Sequence, residues 1–157
     1  MIARVKDNPG LHRALIVVAI MLATIMQAVD TTIANVALPD IQGAMSATPD
    51  QVAWVLTSYI VAAAIATPLT GFLAARLGRK RVYVVSVAGF TLTSMLCGAA
   101  QTLPELVLFR LLQGLCGAGL VPFSQAVLLD LFPREKHGKA MSYWGMGVMI
   151  GPILGPT

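Results

Sequence analysis

Two residues in this chain carry charge where the surrounding sequence is apolar. Asp30 follows an uncharged run from Ala14 to Val29 and is itself followed by another, Thr31 to Pro39. Arg110 is the single charge between Leu106 and Leu129. An ionised group inside a bilayer costs at least about 2.5–3.5 kcal/mol and by default marks function. Each of the two sits on a polar stripe of helical period. Thr24, Gln27, Thr31 and Asn35 are spaced three, four and four apart, with Asp30 beside them. Arg110, Gln113, Gly117 and Ser124 follow the same period, with Gln125 alongside. Such stripes belong against protein or water rather than lipid tails. Burial favours the neutral form of a carboxylate, and a nearby guanidinium favours the charged form. A change in the Asp30–Arg110 distance would therefore bind or release a proton and link protonation to conformation. The competing reading is a structural ion pair that only locks helices together.

The elements that must position these residues are membrane helices. Of 157 residues, 57% are hydrophobic and 11% charged, against about 25% charged in a soluble domain. The net charge of +4 lies in short clusters between long apolar runs, which excludes nucleic acid as a partner and points to the lipid bilayer. At about 1.5 Å per residue, a helix needs about 20 residues to cross a ~30 Å core. Uncharged runs of that length are Gln51–Ala75 and Val82–Pro104, and Ala140–Thr157 is uncharged to the last residue. The expected fold is all-α integral membrane, with helices at 14–38, 51–75, 82–103 and 106–130 and a truncated fifth at 140–157. The runs are too long for barrel strands. The first is also too long for a typical signal peptide and carries a late charge, so it is expected to remain as a helix.

Helix rise puts Asp30 about 24 Å from Ala14 and Arg110 about 6 Å from Leu106. The two helices run in opposite directions across a core of about 30 Å, so these heights nearly coincide. Before the first run lie Arg4, Lys6 and Arg13; between the second and third, Arg76, Arg79, Lys80 and Arg81; between the fourth and fifth, Arg134, Lys136 and Lys139. The intervening loops carry only Asp40, Asp50 and Glu105. The positive-inside rule then places residues 1–13 in the cytoplasm.

Small residues mark where helices should approach closely. Ala63, Thr67, Gly71 and Ala75 are four apart, as are Gly147, Gly151 and Gly155. Gly114, Gly117 and Gly119 form a further packing surface, and Cys97 and Cys116 read as buried packing residues. Pro68, Pro122, Pro152 and Pro156 weaken their helices, because proline lacks a backbone donor. Gly78, in the basic loop Arg76–Arg81, suits the positive φ of a tight turn. No nucleophile–base spacing, metal-ligand cluster or phosphate-cradling loop occurs, so no catalytic residue, metal or cofactor is expected.

Four segments together resemble the major facilitator superfamily, and within it the 14-helix drug:proton antiporters of the EmrB/QacA type. Asp30-Thr-Thr-Ile-Ala-Asn-Val-Ala-Leu-Pro39 is similar to that family's first-helix signature. Gly71-Phe-Leu-Ala-Ala-Arg-Leu-Gly-Arg-Lys-Arg81 resembles the loop 2–3 motif, and Phe109-Arg-Leu-Leu-Gln-Gly114 the fourth-helix motif. Gly147-x-x-x-Gly-Pro-x-x-Gly-Pro156 resembles the fifth-helix antiporter motif. The resemblance covers nearly the whole chain. It implies two helix bundles with two extra helices, alternating access, and export of small amphipathic, often cationic, compounds in exchange for protons. Carried over by position, Asp30, Arg110, Gln27, Thr31, Asn35 and Gln113 would belong to the proton and substrate pathway. Gly71, Arg76, Gly78 and Arg79 would form a cytoplasmic gate, and Gly147, Gly151, Pro152, Gly155 and Pro156 the seal on the fifth helix. Implied partners are protons, the substrate, the helices that complete the protein beyond Thr157, and a periplasmic adaptor. Ala75 stands where the loop 2–3 motif usually has an acid, which removes that position from any charge relay. Two alternatives stay open: a metabolite transporter on the same scaffold, and a small non-transporting membrane protein or inactive remnant.

Overall fold

The computed structural model describes residues 9–154. The described residues form helices and no strands. Helix α1 spans Pro9–Val36, and a short α2, Leu38–Ala44, follows after a break at Ala37. Pro39 sits in the first turn of α2, where its missing N–H costs least. The expected first helix to residue 38 therefore ends two residues earlier. Helix α3, Pro49–Leu77, starts at a capping box: Gln51 N donates to Thr48 Oγ1 at 3.4 Å and Thr48 N to Gln51 Oε1 at 3.0 Å. These bonds use donors that a helix start otherwise leaves bare.

Gly78, with φ +90°, is the only residue between α3 and α4, Arg79–Ala99. The basic residues expected in a loop at 76–81 thus belong mostly to helix ends, Arg76 in the last turn of α3 and Arg79–Arg81 in the first turn of α4. The run expected as one helix at 106–130 is divided into α5, Leu103–Gly117, and α6, Leu120–Leu131. Pro122 cannot donate to the carbonyl of Ala118, and the break falls one turn ahead of it, at Ala118–Gly119. A 3₁₀ turn, Arg134–Lys136, leads into α7, His137–Leu154. Four helical stretches, 13–36, 49–77, 79–99 and 103–131, are long and apolar enough to cross a membrane.

Helix α5 is the centre of the packing, against α3 on one side and α4 on the other, while α1 packs on α7 and α6. Glycine makes the α3–α5 approach possible: a Cβ on Gly114 would run into the Tyr59 carbonyl oxygen. The face of α3 that packs is Ser58, Ala62, Ala66, Thr70 and Ala74, all buried. This corrects the stripe expected from sequence. Thr67, Gly71 and Ala75 are exposed, and Ala63 is half-buried. Both stripes consist of small residues four apart, so spacing could not choose between them. Elsewhere the surface carries Trp54, Ile60, Ile65, Val85, Leu92 and Met95 in the open, as suits contact with lipid tails or with further helices.

Candidate functional site

Asp30, near the end of α1, and Arg110, about two turns into α5, are buried against each other. Arg110 Nη1 donates to Asp30 Oδ2 at 2.8 Å, with side chains only 10% and 13% exposed. The same Nη1 donates to Gln113 Oε1 at 3.0 Å. Gln113, fully buried, returns Nε2 to Asp30 Oδ1 at 2.9 Å. Ser94 of α4 adds its hydroxyl to Oδ1 at 3.1 Å. The carboxylate therefore accepts three donors from two helices besides its own, and such charge-assisted bonds are the stronger kind. A buried pair of this sort is weak evidence for stability, because desolvating two charges offsets most of their attraction. It is a setting in which gain of one proton would rearrange several bonds at once.

Ser94 escaped the sequence reading. Span 79–99 holds no charge after Arg81, so nothing in the pattern singled out one hydroxyl among several. Cys97, expected as packing only, is half-buried and points Sγ at Gln113 Oε1, 3.6 Å away. Cys116 is likewise half-buried and touches the Gly89 surface.

The rest of the first stripe divides. Gln27 Nε2 donates to the Tyr59 hydroxyl at 3.0 Å and to the Gly117 carbonyl at 3.3 Å. Thr31 and Asn35 bond only their own helix, Thr31 to the Gln27 and Ala28 carbonyls and Asn35 to the Thr31 carbonyl. Neither joins the Asp30–Arg110 network directly. A cavity of about 240 Å³ lies beside the stripe, lined by Thr24, Gln27, Thr31 and Thr32 of α1, Val121 of α6, and Trp144 and Val148 of α7. Trp144 Nε1 donates to Ser124 Oγ at 3.1 Å, which fixes the indole at the cavity edge. Among the described residues no charged side chain lines it.

At the other end of the bundle, Arg79 Nη1 meets Asp130 Oδ2 at 2.5 Å, joining the start of α4 to the end of α6. The pair is more than half exposed. Arg76 lies over the Phe72 ring, 4.6 Å from its centre, in reach of a cation–π attraction. Gly71 is exposed, with open space where a Cβ would stand. Gly147 is buried, and a Cβ there would strike Met21 Cε. Gly151 and Pro152 lie within α7; Gly155 and Pro156 lie outside the described residues.

The chain, a multi-pass helical bundle with an ion pair buried between its helices, belongs to the major facilitator superfamily, whose family model matches residues 20–157. It is similar to the multidrug export protein EmrB of Haemophilus influenzae, 46% identical over 142 residues, which are 90% of this chain and 28% of that protein. It is 44% identical over 147 residues to the fatty acid resistance protein FarB of Neisseria gonorrhoeae, covering 94% and 29% of the two chains. It is 46% identical over 141 residues to the probable multidrug resistance protein EmrY of Escherichia coli, covering 90% and 28%. The chain thus spans less than a third of the length of these relatives.

Proposed function

We propose that this chain is part of a proton-coupled secondary transporter that exports amphipathic compounds across the cytoplasmic membrane by alternating access. The observation that carries this reading is the buried Asp30–Arg110–Gln113–Ser94 network. Protonation of Asp30 would remove the charge that Arg110, Gln113 and Ser94 now share, loosening α1 from α4 and α5. That ties proton binding to helix position, as coupling requires. Gln27, Thr31 and Asn35 stand on the same stripe and serve the pathway for protons and substrate. The N-terminus faces the cytoplasm, as the basic clusters favour. On that side Gly71, Arg76, Gly78 and Arg79 form a gate, and Arg79 finds its acid in Asp130, on α6, where Ala75 supplies none. Gly147, Gly151, Pro152, Gly155 and Pro156 serve as the seal of the fifth-helix motif, where Gly147 leaves no room for a Cβ beside Met21.

The cavity at Trp144 favours an amphipathic cargo over a highly charged metabolite. It offers an aromatic face, apolar walls and threonine and amide groups, and among the described residues no ion to pair with a multiply charged solute. Relatives named for multidrug export and for fatty acid resistance fit that chemistry. A periplasmic adaptor would carry the compound onward. The test is proton-gradient-driven dye efflux by the complete protein in inverted membrane vesicles, with and without Asp30→Asn. The variant should insert normally and lose gradient-driven efflux; efflux at the normal rate would end the coupling reading.

A further inference from the structure

A groove of about 440 Å³ lies where α3, α4 and α5 meet at the basic end of the bundle. Its walls are Leu73 and Leu77 of α3, Val85 of α4 and Leu115 of α5, all exposed. Arg81, in the first turn of α4, stands at its edge and is exposed. Two other cations of this end are engaged elsewhere: Arg79 pairs with Asp130, and Arg76 lies over Phe72. Arg81 pairs with no acid among the described residues, and none of them brings a carboxylate to the groove. Ser86 lies five residues further along α4, about 7.5 Å deeper by helix rise. It lines the groove and is only 7% exposed. Thr91 and Thr93 of the same helix bond carbonyl oxygens one turn back. The Ser86 hydroxyl makes no hydrogen bond among the described residues. A buried polar group needs a partner, and the groove's occupant is placed to supply it.

We propose that this groove binds one anionic phospholipid. Its phosphate sits on Arg81, an acyl ester carbonyl accepts from Ser86, and the chain runs along Leu73, Leu77 and Val85. The cation, the lone hydroxyl and the apolar walls follow one another in the order of phosphate, ester and chain in such a lipid. The guanidinium fork matches phosphate geometry, and basic pockets between membrane helices take anionic headgroups. A helix from the rest of the protein, about 10–12 Å across, could cover the apolar walls. It would also have to bring an acid to Arg81 and an acceptor to Ser86, which a phospholipid carries together with its chain. The site lies apart from the Asp30–Arg110 pair and does not rest on the coupling reading.

Brominated acyl chains quench tryptophan fluorescence on contact, which reads the lipid at a chosen position. Val85→Trp puts the reporter on the groove wall, and Leu92→Trp puts it about two turns along the same face of α4, outside the groove. Each is made in the complete protein with its other tryptophans replaced by phenylalanine, in phosphatidylcholine bilayers. Brominated phosphatidylglycerol or brominated phosphatidylcholine is then titrated in. At Val85→Trp the glycerol lipid should bind about fivefold more tightly than the choline lipid, the factor expected of one basic residue; at Leu92→Trp the two should be equal. Arg81→Gln should bring the ratio at Val85→Trp close to one. Lys80→Gln, which removes the same charge outside the groove, should leave it unchanged. An ether-linked brominated phosphatidylglycerol has no ester carbonyl and should bind about threefold less well than the ester form, a difference that Ser86→Ala abolishes. Equal quenching by the two headgroups at Val85→Trp means ordinary boundary lipid and overturns the proposal. Quenching by neither means that protein covers the groove and overturns it too, as does a preference that survives Arg81→Gln. An ether lipid that binds as well as the ester overturns the Ser86 contact. Efflux enters none of these readouts, so their failure leaves the coupling reading untouched.

Discussion

Ser94 and Asp30, 64 positions apart, meet across 3.1 Å, with the serine hydroxyl donating to the carboxylate oxygen that also accepts Gln113. The contact makes α4 a third party to what sequence reads as a two-helix charge pair. Ser94→Ala removes one of three donors to a buried anion. A hydrogen bond to a charged group is worth about 1.5–3 kcal/mol, and this one is only partly buried, so a loss of about 1–2 kcal/mol is expected. The detergent melting midpoint of the complete protein should fall accordingly and dye efflux should drop several-fold, while Ser94→Thr keeps both.

Arg110→Gln leaves Asp30 in the bundle without the cation it pairs with. Removing one member of a buried pair typically costs about 3–5 kcal/mol. The double variant Asp30→Asn/Arg110→Gln removes both charges and should melt higher than Arg110→Gln alone, although neither variant should transport. A double variant no more stable than the single would show that the two charges do not depend on each other.

Two glycines from the same motif set should respond in opposite ways. Gly114→Ala drives a methyl against the Tyr59 carbonyl oxygen, and backbone cannot swing aside as a flexible side chain can. Membrane yield of Gly114→Ala should fall steeply. Gly71 has open space where its Cβ would go and lies in the interior of α3. Gly71→Ala should leave yield unchanged or raise stability by up to about 1 kcal/mol, the helix-propensity gain. Quantifying inserted protein by fluorescence-detected chromatography separates the two.

The Arg79–Asp130 pair is more than half exposed, so it should contribute at most about 1 kcal/mol to stability. Arg79→Gln is therefore expected to leave the melting midpoint nearly unmoved, and any large effect should appear in transport instead. Gly78→Ala is the harsher change, since φ +90° strains any residue with a Cβ. It should lower the melting midpoint while Arg79→Gln does not.

The apolar runs were enough to place helices, because spanning length and missing charge follow directly from bilayer thickness. That Asp30 and Arg110 stand at matching heights was equally legible, since helix rise converts position into height. Helix ends were less so. The break at Ala118–Gly119 could be suspected from Pro122, yet proline often sits in unbroken membrane helices whose neighbours satisfy the freed carbonyl. The single-residue joint at Gly78 was hidden because Arg76 and Arg79–Arg81 read as loop, although charged side chains at helix ends can reach out of the membrane.

What the amino-acid order determined alone was a set of one-dimensional quantities: how many apolar segments exist, how long they are, and how far along each one a charge sits. Azimuth was left to the tertiary structure. Which of two equivalent small-residue stripes of α3 packs on α5, which hydroxyl of α4 turns toward Asp30, and that Arg79 meets Asp130 all depend on rotation of one helix about its axis relative to another. That rotation is set by side-chain shapes meeting across an interface, and in lipid an apolar pattern that would reveal it is lacking, because the outer face of a helix is as greasy as the inner.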